Sequence, residues 1–412
     1  MAFSIYGPRS GPSGQSSNSA LAVAQLSDAF PLALPICSSR RQLPDRTQNE
    51  AQKYMNKIEK LNPTEVVRKV TGMLRVFSVL HRNRFKFKSL SDFSFNPVLG
   101  CMHACAFCYV ASLVRFRKKL LEALGIRDPD GDWGKYALVK LWDEKKFLAS
   151  LRKAEALPPE QLSHDGHRAV IFSSTTDAYS VLNGGDLNVT KKANELLQHS
   201  VQRALELILK ESTLNVRILT RSPLARRDFD LMRQFGPRLL FGMSLPTLDN
   251  KLARIYEPGA PAPTARLETL RLAKEAGLKI FVAVAPTYPE CTRQDLEATL
   301  KAIKELDPVT IFHEPINIRA KNAERISLRA ATMGVRLDTS VYESGKAWRR
   351  YAVQQLKLVE EVANDLGLGD RLHLWPDKCL LTKASLAVQP DPEAFKKWIQ
   401  HWHNRVSEWP ST

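Results

Sequence analysis

Residues 100–109 read GCMHACAFCY and place Cys101, Cys105 and Cys108 at the spacing C-x3-C-x2-C. Thiolates are soft ligands that suit iron–sulfur clusters and zinc. A cluster of four irons normally takes four cysteines, so three local thiolates leave one iron without a protein ligand. An open coordination position is typical of a reactive metal site. The loop therefore predicts a metal site, and a reactive 4Fe–4S cluster is the leading interpretation.

Two other metal sites are compatible with thiolate ligands. Structural zinc would need His103 as a further ligand, but no second ligand pair stands at finger-like spacing. An electron-transfer site of ferredoxin type would want a fourth nearby cysteine, whereas Cys37, Cys291 and Cys379 are remote in sequence. The chain has only six cysteines. This count is unlike a secreted disulfide framework and favours a reducing cytoplasm.

Short apolar segments alternate with helical patterns along most of the chain. The strand candidates are residues 92–95, 169–173, 216–220, 239–244, 280–285 and 309–312. The helix candidates between and after them are residues 110–124, 190–210, 223–235, 264–276 and 293–306. Alternation of this kind predicts an α/β fold, in which a parallel sheet is covered by helices. Six such units predict a partial (β/α)6 barrel of TIM type, whose chemistry gathers at the carboxyl ends of the strands.

The barrel predicts four divisions of the chain. Residues 1–48 are dense in Gly, Pro, Ser and Gln and predict a disordered tail. A basic N-terminal segment follows over residues 49–90, then the core barrel over 91–322 and a C-terminal helical extension over 323–412. Further expected elements are a helix near 50–61, a strand at 136–141, a helix at 144–154, a helix at 345–366, a strand-like 372–374 and a helix at 392–403.

The chain is strongly basic, with 60 Lys and Arg against 43 Asp and Glu and a net charge of +17. Such an excess favours polyanionic partners, DNA or RNA first, although a solvated basic surface is the alternative. Many of the cations flank the cysteine loop: Arg68, Lys69, Arg75, Arg82, Arg84, Lys86 and Lys88 before it, and Arg115, Arg117, Lys118 and Lys119 after it. Phe85 and Phe87 alternate with three of these cations, as expected of a basic binding face or of a protected edge strand.

Membrane association is not expected. No stretch reaches 18 apolar residues, and residues 1–12 have no apolar run of signal-peptide type. The Ser-rich, acid-poor first forty residues leave an organellar transit peptide as an alternative to a disordered tail. We therefore expect a cytoplasmic protein.

The cysteine spacing, directly after a strand and before a helix, resembles the cluster loop of the radical S-adenosylmethionine (SAM) superfamily. Phe107 and Tyr109 look like the aromatic neighbours common there, and the resemblance extends from about Phe93 to Asn322. It implies two cofactors, a 4Fe–4S cluster and SAM, and a one-electron reductant of flavodoxin or ferredoxin type. It also implies the reaction: the reduced cluster cleaves SAM, and the resulting 5′-deoxyadenosyl radical abstracts hydrogen from a substrate. The cofactors carry this chemistry and the protein orients them.

Further segments resemble the spore photoproduct lyase-like, or "DNA repair photolyase", branch of that superfamily. They are residues 175–179, 218–224 with 227–228, 244–247, 257–261 with Arg266, and Pro286 with Pro289. The resemblance implies that Thr176 and Asp177 lie near the SAM amine, that Arg221 meets the SAM carboxylate and that Ser244 approaches the ribose or carboxylate. Tyr109, Glu257 and Arg266 complete the implied cofactor-binding set. The alternatives are helix N-caps for Asp177 and Ser244, and a surface ion pair for Arg221.

The chain departs from this branch at the hydrogen donor. The lyases have a cysteine three residues before the strand-two aspartate, where this chain has Ser174. A hydroxyl gives up hydrogen far less readily than a thiol, so the lyase reaction itself is in question. Cys291 and Tyr109 are the candidate catalytic residues, and Cys379 is a weaker donor candidate. A structural or incidental thiol is the alternative for both cysteines.

One more candidate group follows the sixth strand. Glu314 and Asn317 are expected to bind substrate or adenosine, with a salt bridge from Glu314 to Arg319 as the alternative. The function expected from the whole sequence is a radical SAM enzyme that repairs or modifies nucleic acid. The alternatives are a radical SAM modifier of a peptide or small molecule, and a non-catalytic iron–sulfur or zinc protein that binds nucleic acid.

Overall fold

The computed structural model describes residues 69–83, 90–114, 121–122 and 125–410. The predicted tail at 1–48, the helix near 50–61, the cations at positions 68, 84, 86, 88, 115 and 117–119, and residues 115–120 and 123–124 of the predicted helix 110–124 lie outside these residues. The strands are β1 (Val70–Phe77), β2 (Leu80–Arg82), β3 (Phe93–Phe95), β4 (Val98–Gly100), β5 (Tyr136–Leu141), β6 (Ala169–Phe172), β7 (Asn215–Thr220), β8 (Leu239–Ser244), β9 (Lys279–Thr287), β10 (Thr310–Pro315) and β11 (Leu372–Leu374).

Eight of these strands form one sheet in the order β11-β10-β9-β8-β7-β6-β3-β2. The neighbours from β3 to β11 are parallel, and β2 pairs with β3 in the antiparallel direction. The six predicted strands are confirmed as β3, β6, β7, β8, β9 and β10, and they are consecutive in the sheet. All residues of β6 and β8 are buried, as expected where helices and a core cover both faces of parallel strands. Since the sheet has two edges, β2 and β11, the barrel is partial.

The helices of the described residues pack against the strands or against one another. They are α1 (Val110–Val114), α2 (Glu144–Glu155), α3 (Leu187–Glu211), α4 (Phe229–Arg233), α5 (Asn250–Tyr256), α6 (Pro263–Glu275), α7 (Arg293–Glu305), α8 (Asn322–Met333), α9 (Gly345–Asp365), α10 (Lys383–Leu386) and α11 (Pro392–Asn404). Side chains cap several of them: Asp186 accepts from the Val189 amide, and Ser344 accepts from the Ala347 amide. Among the described residues, no helix has the length and apolar character needed to cross a membrane.

The predicted α-helix at 223–235 is not one continuous α-helix. The segment 223–235 splits into a 3-10 helix, Pro223–Asp228, and the short α4. Pro223 occupies the first position, where no amide is needed, and the Ser222 hydroxyl accepts from the Leu224 amide. Only two residues therefore separate the 3-10 helix from the end of β7.

A second, three-stranded sheet of order β1-β5-β4 carries the cysteine loop. The predicted strand at 136–141 is confirmed as its central member, β5. β1 is parallel to β5, and β4 is antiparallel to it. The loop thus starts from the small sheet, immediately after β4, rather than directly from the barrel strand β3.

The C-terminal extension takes part in the barrel. β11 adds to the sheet edge beside β10, with Phe312 opposite His373. The final segment closes the amino-terminal end of the barrel, where the Ser407 amide donates to Asp165 and Arg217 donates to the Ser407 hydroxyl. Arg217 is fully buried, and its charge is partnered by aromatic faces, including that of Trp409 at 4.8 Å.

Candidate active site

The cysteine loop connects β4 to α1. Cys101 and Cys105 are buried and Cys108 is half-buried. Gly100 precedes the loop with φ of +89°, and a Cβ there would collide with the carbonyl oxygen of Tyr136, so glycine is required. The Thr176 hydroxyl donates to the Gly100 carbonyl at 2.9 Å. The end of β6 is thereby tied to the start of the loop.

The end of α5 and the segment after it hold one side of the loop. The Ala106 amide donates to the Tyr256 carbonyl at 2.8 Å, and the Gly259 amide donates to the His103 carbonyl at 2.9 Å. A Cβ on Gly259 would collide with the Met102 carbonyl. The glycine of residues 257–261 is therefore needed because two backbones touch there.

Glu257 joins two arginines behind the loop. Its Oε1 lies 2.5 Å from Arg221 Nε, and its Oε2 lies 2.6 Å from Arg266 Nη1. Burial raises the pKa of the Glu257 carboxyl, but Arg266 and Arg221 together hold it below its usual range. Arg266 also donates to the carbonyls of Pro261 and Ser244 and is almost fully buried. It thus supports Glu257 from inside the protein.

Arg221 is the member of this triad that reaches the cysteine loop. Its guanidinium carbon lies 5.8 Å from the centroid of the Phe107 ring. Its positive charge acts on all three thiols, in each case lowering a pKa that burial raises more strongly. The net result for Cys101 is a pKa raised to about 12, with burial as the main cause and the Asp177 charge second.

Asp177 connects the ends of β6 and β7. Its carboxylate accepts from the Thr220 hydroxyl, from the Arg221 amide at 2.8 Å and from the Tyr179 amide at 2.9 Å. His103 Nδ1 lies 3.5 Å from the same carboxylate. These contacts do not make Asp177 a helix N-cap. They lock the backbone of Arg221 to the cysteine loop.

The two serines of interest have intramolecular partners. The Ser244 hydroxyl donates to the Ala285 carbonyl at 2.9 Å, and the cap of the following helix is Asp249. Ser174 exchanges hydrogen bonds with the Asn96 side chain, at 2.9 Å and 3.3 Å. Ser244 therefore links β8 to β9 at the mouth of the barrel, and Ser174 links β6 to the segment before the cysteine loop.

The two remote cysteines differ in position. Cys291 is 3% exposed, and its sulfur accepts from the Tyr288 amide at 3.4 Å within the core between sheet and helices. Burial raises its pKa well above the usual range. Cys379 is half-buried and follows β11, so it lies at the carboxyl end of the sheet. Its amide donates to Asp377 at 2.8 Å.

Polar residues at the end of β10 and just after it include Glu314 and Arg319, for which the sequence offered a salt bridge as one alternative. Arg319 forms its salt bridge with Asp377, at 2.7 Å, and Asn317 donates to Glu314 at 3.5 Å. Tyr109, the other candidate catalytic residue, has 42% of its surface exposed. Part of its side chain is therefore accessible to solvent.

Sequence reasoning missed two residues, Asn322 and Arg325. Both lie in the first turn of α8, and both donate to carbonyls of the cysteine loop. No motif marks them, because their partners are backbone oxygens more than two hundred residues away in sequence.

The donor set fits an iron–sulfur cluster. Three soft thiols lie in one loop and interact electrostatically with one another. Within the described residues, no three His, Cys, Asp or Glu side chains are arranged to hold a single metal ion. A cluster requires no such convergence because each thiolate binds a different iron, whereas structural zinc needs four ligands on one ion.

Comparisons with known proteins identify the family of this chain. Residues 95–303, about half of the chain, match the model of the Radical SAM superfamily. An uncharacterised protein of Acidianus two-tailed virus is 31% identical over 245 residues, which cover 58% of this chain and 72% of the viral protein. An uncharacterised protein of Methanocaldococcus jannaschii is 26% identical over 227 residues, covering 55% and 70%.

Solved structures give the same fold. Spore photoproduct lyase complexed with dinucleoside spore photoproduct has a TM-score of 0.50 and 16% identity, covering 73% of this chain and 82% of the lyase. A variant of that lyase with the same dinucleoside has a TM-score of 0.51 and 15% identity, covering 79% and 93%.

The chain belongs to the radical SAM superfamily and is a radical SAM enzyme. Within that class, its fold is that of spore photoproduct lyase. The predicted cofactors, a 4Fe–4S cluster and SAM, are those of the superfamily, whose enzymes also require a reductant.

Proposed function

We propose that Cys101, Cys105 and Cys108 hold the cluster, that Arg221 binds the carboxylate of SAM beside it, and that the enzyme repairs or modifies nucleic acid. The observation that carries the site assignment is the position of Arg221. Its side chain is fixed by Glu257 and its amide by Asp177, while its charge acts on the three thiols. A guanidinium held in this way is ready to pair with a carboxylate through two parallel hydrogen bonds.

The bound cofactors would supply the reductive cleavage of SAM and the hydrogen abstraction. The residues of the chain bind and orient them. Thr176 and Asp177 fix the ends of β6 and β7 around the loop, and Ser244 fixes β8 against β9. Burial of Cys101 and Cys105 keeps water from the ligand sulfurs. Tyr109, exposed next to Cys108, is proposed to contact SAM or substrate.

Glu257 and Arg266 act indirectly in this proposal. Arg266 is 1% exposed and donates to the Ser244 carbonyl, so it cannot reach SAM without a rearrangement of the core. The role of Arg266 is to balance the charge of Glu257. Glu257 in turn orients Arg221. A flavodoxin- or ferredoxin-type protein is the proposed electron donor.

Nucleic acid is the proposed substrate class for two reasons. The net charge of +17 favours a polyanion, since displacing counterions from phosphates drives such binding. The lyase of the same fold is complexed with a dinucleoside photoproduct. Ser174 stands where a donor thiol would be needed for the lyase reaction, so the reaction proposed for this chain does not pass through that position.

The site assignment is tested by anaerobic reconstitution with iron and sulfide, followed by addition of SAM and dithionite. We expect four irons per chain, their loss in Cys105→Ala, and formation of 5′-deoxyadenosine by the wild type. A preparation that binds only zinc would overturn the assignment.

The substrate class is tested separately, by fluorescence anisotropy with labelled DNA and RNA. We expect binding that weakens steeply between low and moderate salt, because bound phosphates release counterions. No binding at low salt, together with continued 5′-deoxyadenosine formation, would favour a peptide or small-molecule substrate.

A further inference from the structure

The first turn of α8 donates hydrogen bonds to three successive carbonyls of the cysteine loop. Arg325 Nε donates to Ala106 O at 3.1 Å, and Arg325 Nη2 donates to Cys108 O at 2.5 Å. Asn322 Nδ2 donates to Phe107 O, between these two, at 3.0 Å. Two side chains one helical turn apart thus bind every carbonyl from residue 106 to residue 108. We call Asn322 and Arg325 the loop clamp.

The loop clamp is itself held in place. Arg325 Nη1 pairs with the carboxylate of Asp130, and the Arg325 side chain is only 10% exposed. Asn322 is fully buried; its amide group also donates to Asn317 O at 2.7 Å, and its Oδ1 accepts from the Arg319 amide at 2.9 Å. Side chains fixed by so many partners hold the loop without first having to become ordered.

The opposite side of the loop is held by the end of α5 and the segment after it. The Ala106 residue is bound on both sides, since its amide donates to Tyr256 O and its carbonyl accepts from Arg325. A trans peptide points its N–H and C=O in opposite directions. By holding the carbonyls of Ala106 and Cys108, the loop clamp turns the amides of Phe107 and Tyr109 away from α8. Amide dipoles and charges near cluster sulfurs set a cluster's reduction potential.

Arg325 also places a positive charge beside the third ligand. Burial raises the pKa of the Cys108 thiol, and the charge of Arg325 lowers it. Hydrogen bonds from the amides of Val110 and Ala111 lower the same pKa. A nearby cation stabilises the more negatively charged, reduced state of a cluster and raises its reduction potential. Asp130 offsets part of this charge but not the directed hydrogen bonds.

We propose that Asn322 and Arg325 are positioning residues for the cluster: together they retain it in the loop, and Arg325 raises its reduction potential. This inference rests on the proposed function, namely on Cys101, Cys105 and Cys108 as ligands. Both residues lie beyond the segment that matches the superfamily model, so the C-terminal part of this chain completes its cofactor site.

The test compares Arg325→Gln, Arg325→Lys and Asn322→Ala with Arg336→Gln, which removes an equal charge from an exposed position beyond α8. Each reconstituted full-length protein is measured for iron release to a chelator and for reduction potential by EPR-monitored titration. Circular dichroism melts of the same proteins report folding. We expect Arg325→Gln and Asn322→Ala to release iron roughly 10- to 100-fold faster than the wild type, because losing a residue that orients metal ligands typically lowers metal affinity by about that factor.

The potential separates positioning from general destabilisation. The reduction potential of Arg325→Gln should be lower than that of the wild type. Arg325→Lys should have a potential close to that of the wild type but should release iron faster. Arg336→Gln should match the wild type in both potential and iron release. If Arg325→Gln does not fold, Arg325→Lys and Asn322→Ala decide the question through iron release. Release rates equal to those of Arg336→Gln in the folded variants would overturn the inference. A wild type that binds no cluster would instead overturn the proposed function.

Discussion

The Glu257 carboxylate holds the Arg221 guanidinium beside the cysteine loop, with Oε1 and Nε 2.5 Å apart. The same carboxylate pairs with the buried Arg266. Taking charges out of water is costly, so this arrangement is stable only while each charge keeps its partners. The triad therefore links the folding of the core to the geometry of the proposed SAM site.

Glu257→Gln should destabilise the protein by roughly 3–5 kcal/mol, because it leaves two arginines without their shared counter-charge in a buried site. Urea unfolding of the cluster-free protein, followed by circular dichroism, measures this change. Glu268→Gln is the matched control, since Glu268 forms an exposed pair with Arg271 that should contribute at most about 1 kcal/mol. Equal effects of the two substitutions would contradict a structural role for the triad.

Arg221→Met should weaken SAM binding to the reconstituted enzyme by about tenfold or more, as expected from the loss of hydrogen bonds to a charged group. Arg221→Lys should lose less, since it keeps the charge but not the bidentate geometry. Equilibrium dialysis with labelled SAM gives both affinities. If Arg221→Met binds SAM as the wild type does, Arg221 is not the partner of the SAM carboxylate.

Cys291 should react with iodoacetamide much more slowly than Cys379 in the native protein. Cys291 is buried and its pKa is raised by that burial, so its thiolate is scarce and inaccessible. Mass spectrometry after timed alkylation at pH 8 gives the two rates, and alkylation in urea provides the reference. Comparable native rates would mean that Cys291 is reachable and would strengthen its candidacy as hydrogen donor.

Stability should fall as the pH drops from about 6.5 toward 4. Burial is the main reason that the pKa of His373 is lowered to about 4. Asp165 opposes this effect, and the charges of Arg405 and Arg217 add to it. Below the unfolded-state pKa of about 6.5, the unfolded chain binds a proton that the folded chain refuses. The full stabilisation is therefore present above pH 6.5 and is lost on acidification.

His373→Gln should flatten this pH dependence, because glutamine does not titrate. Urea midpoints of the cluster-free protein at pH 7, 6, 5 and 4.5 measure the effect, with His401→Gln as a control on the exposed surface of α11. An unchanged pH profile in His373→Gln would assign the acid sensitivity to other groups. The first candidate is the neighbouring Asp165 carboxyl, whose pKa is raised by burial but held below its usual range by hydrogen bonds from His167 and Ser407.

Much of the fold could be predicted from sequence because its signals are local. Six apolar strands and their helices follow from runs and periods of a few residues, and the strand at 136–141 agrees to the residue with β5. The tertiary structure decided that Leu372–Leu374 belongs to the same sheet. A segment of three residues is too short for its sequence to indicate which strand it pairs with. Here it pairs with β10, whose outer edge has no other strand beside it among the described residues.

The candidate site divides in the same way. The three cysteines and their spacing are a local signal, and the sequence by itself determined the superfamily, its cofactors and the loop that is proposed to bind the cluster. Only the tertiary structure decided that Glu257 orients Arg221, that Arg266 lies behind it and that Asn322 and Arg325 bind the loop from α8. Cys108 and Arg325 are 217 residues apart. The order of the strands in the sheet brings these two residues together. Arg325 binds a backbone carbonyl, a group that every residue carries, so no local sequence pattern encodes the contact.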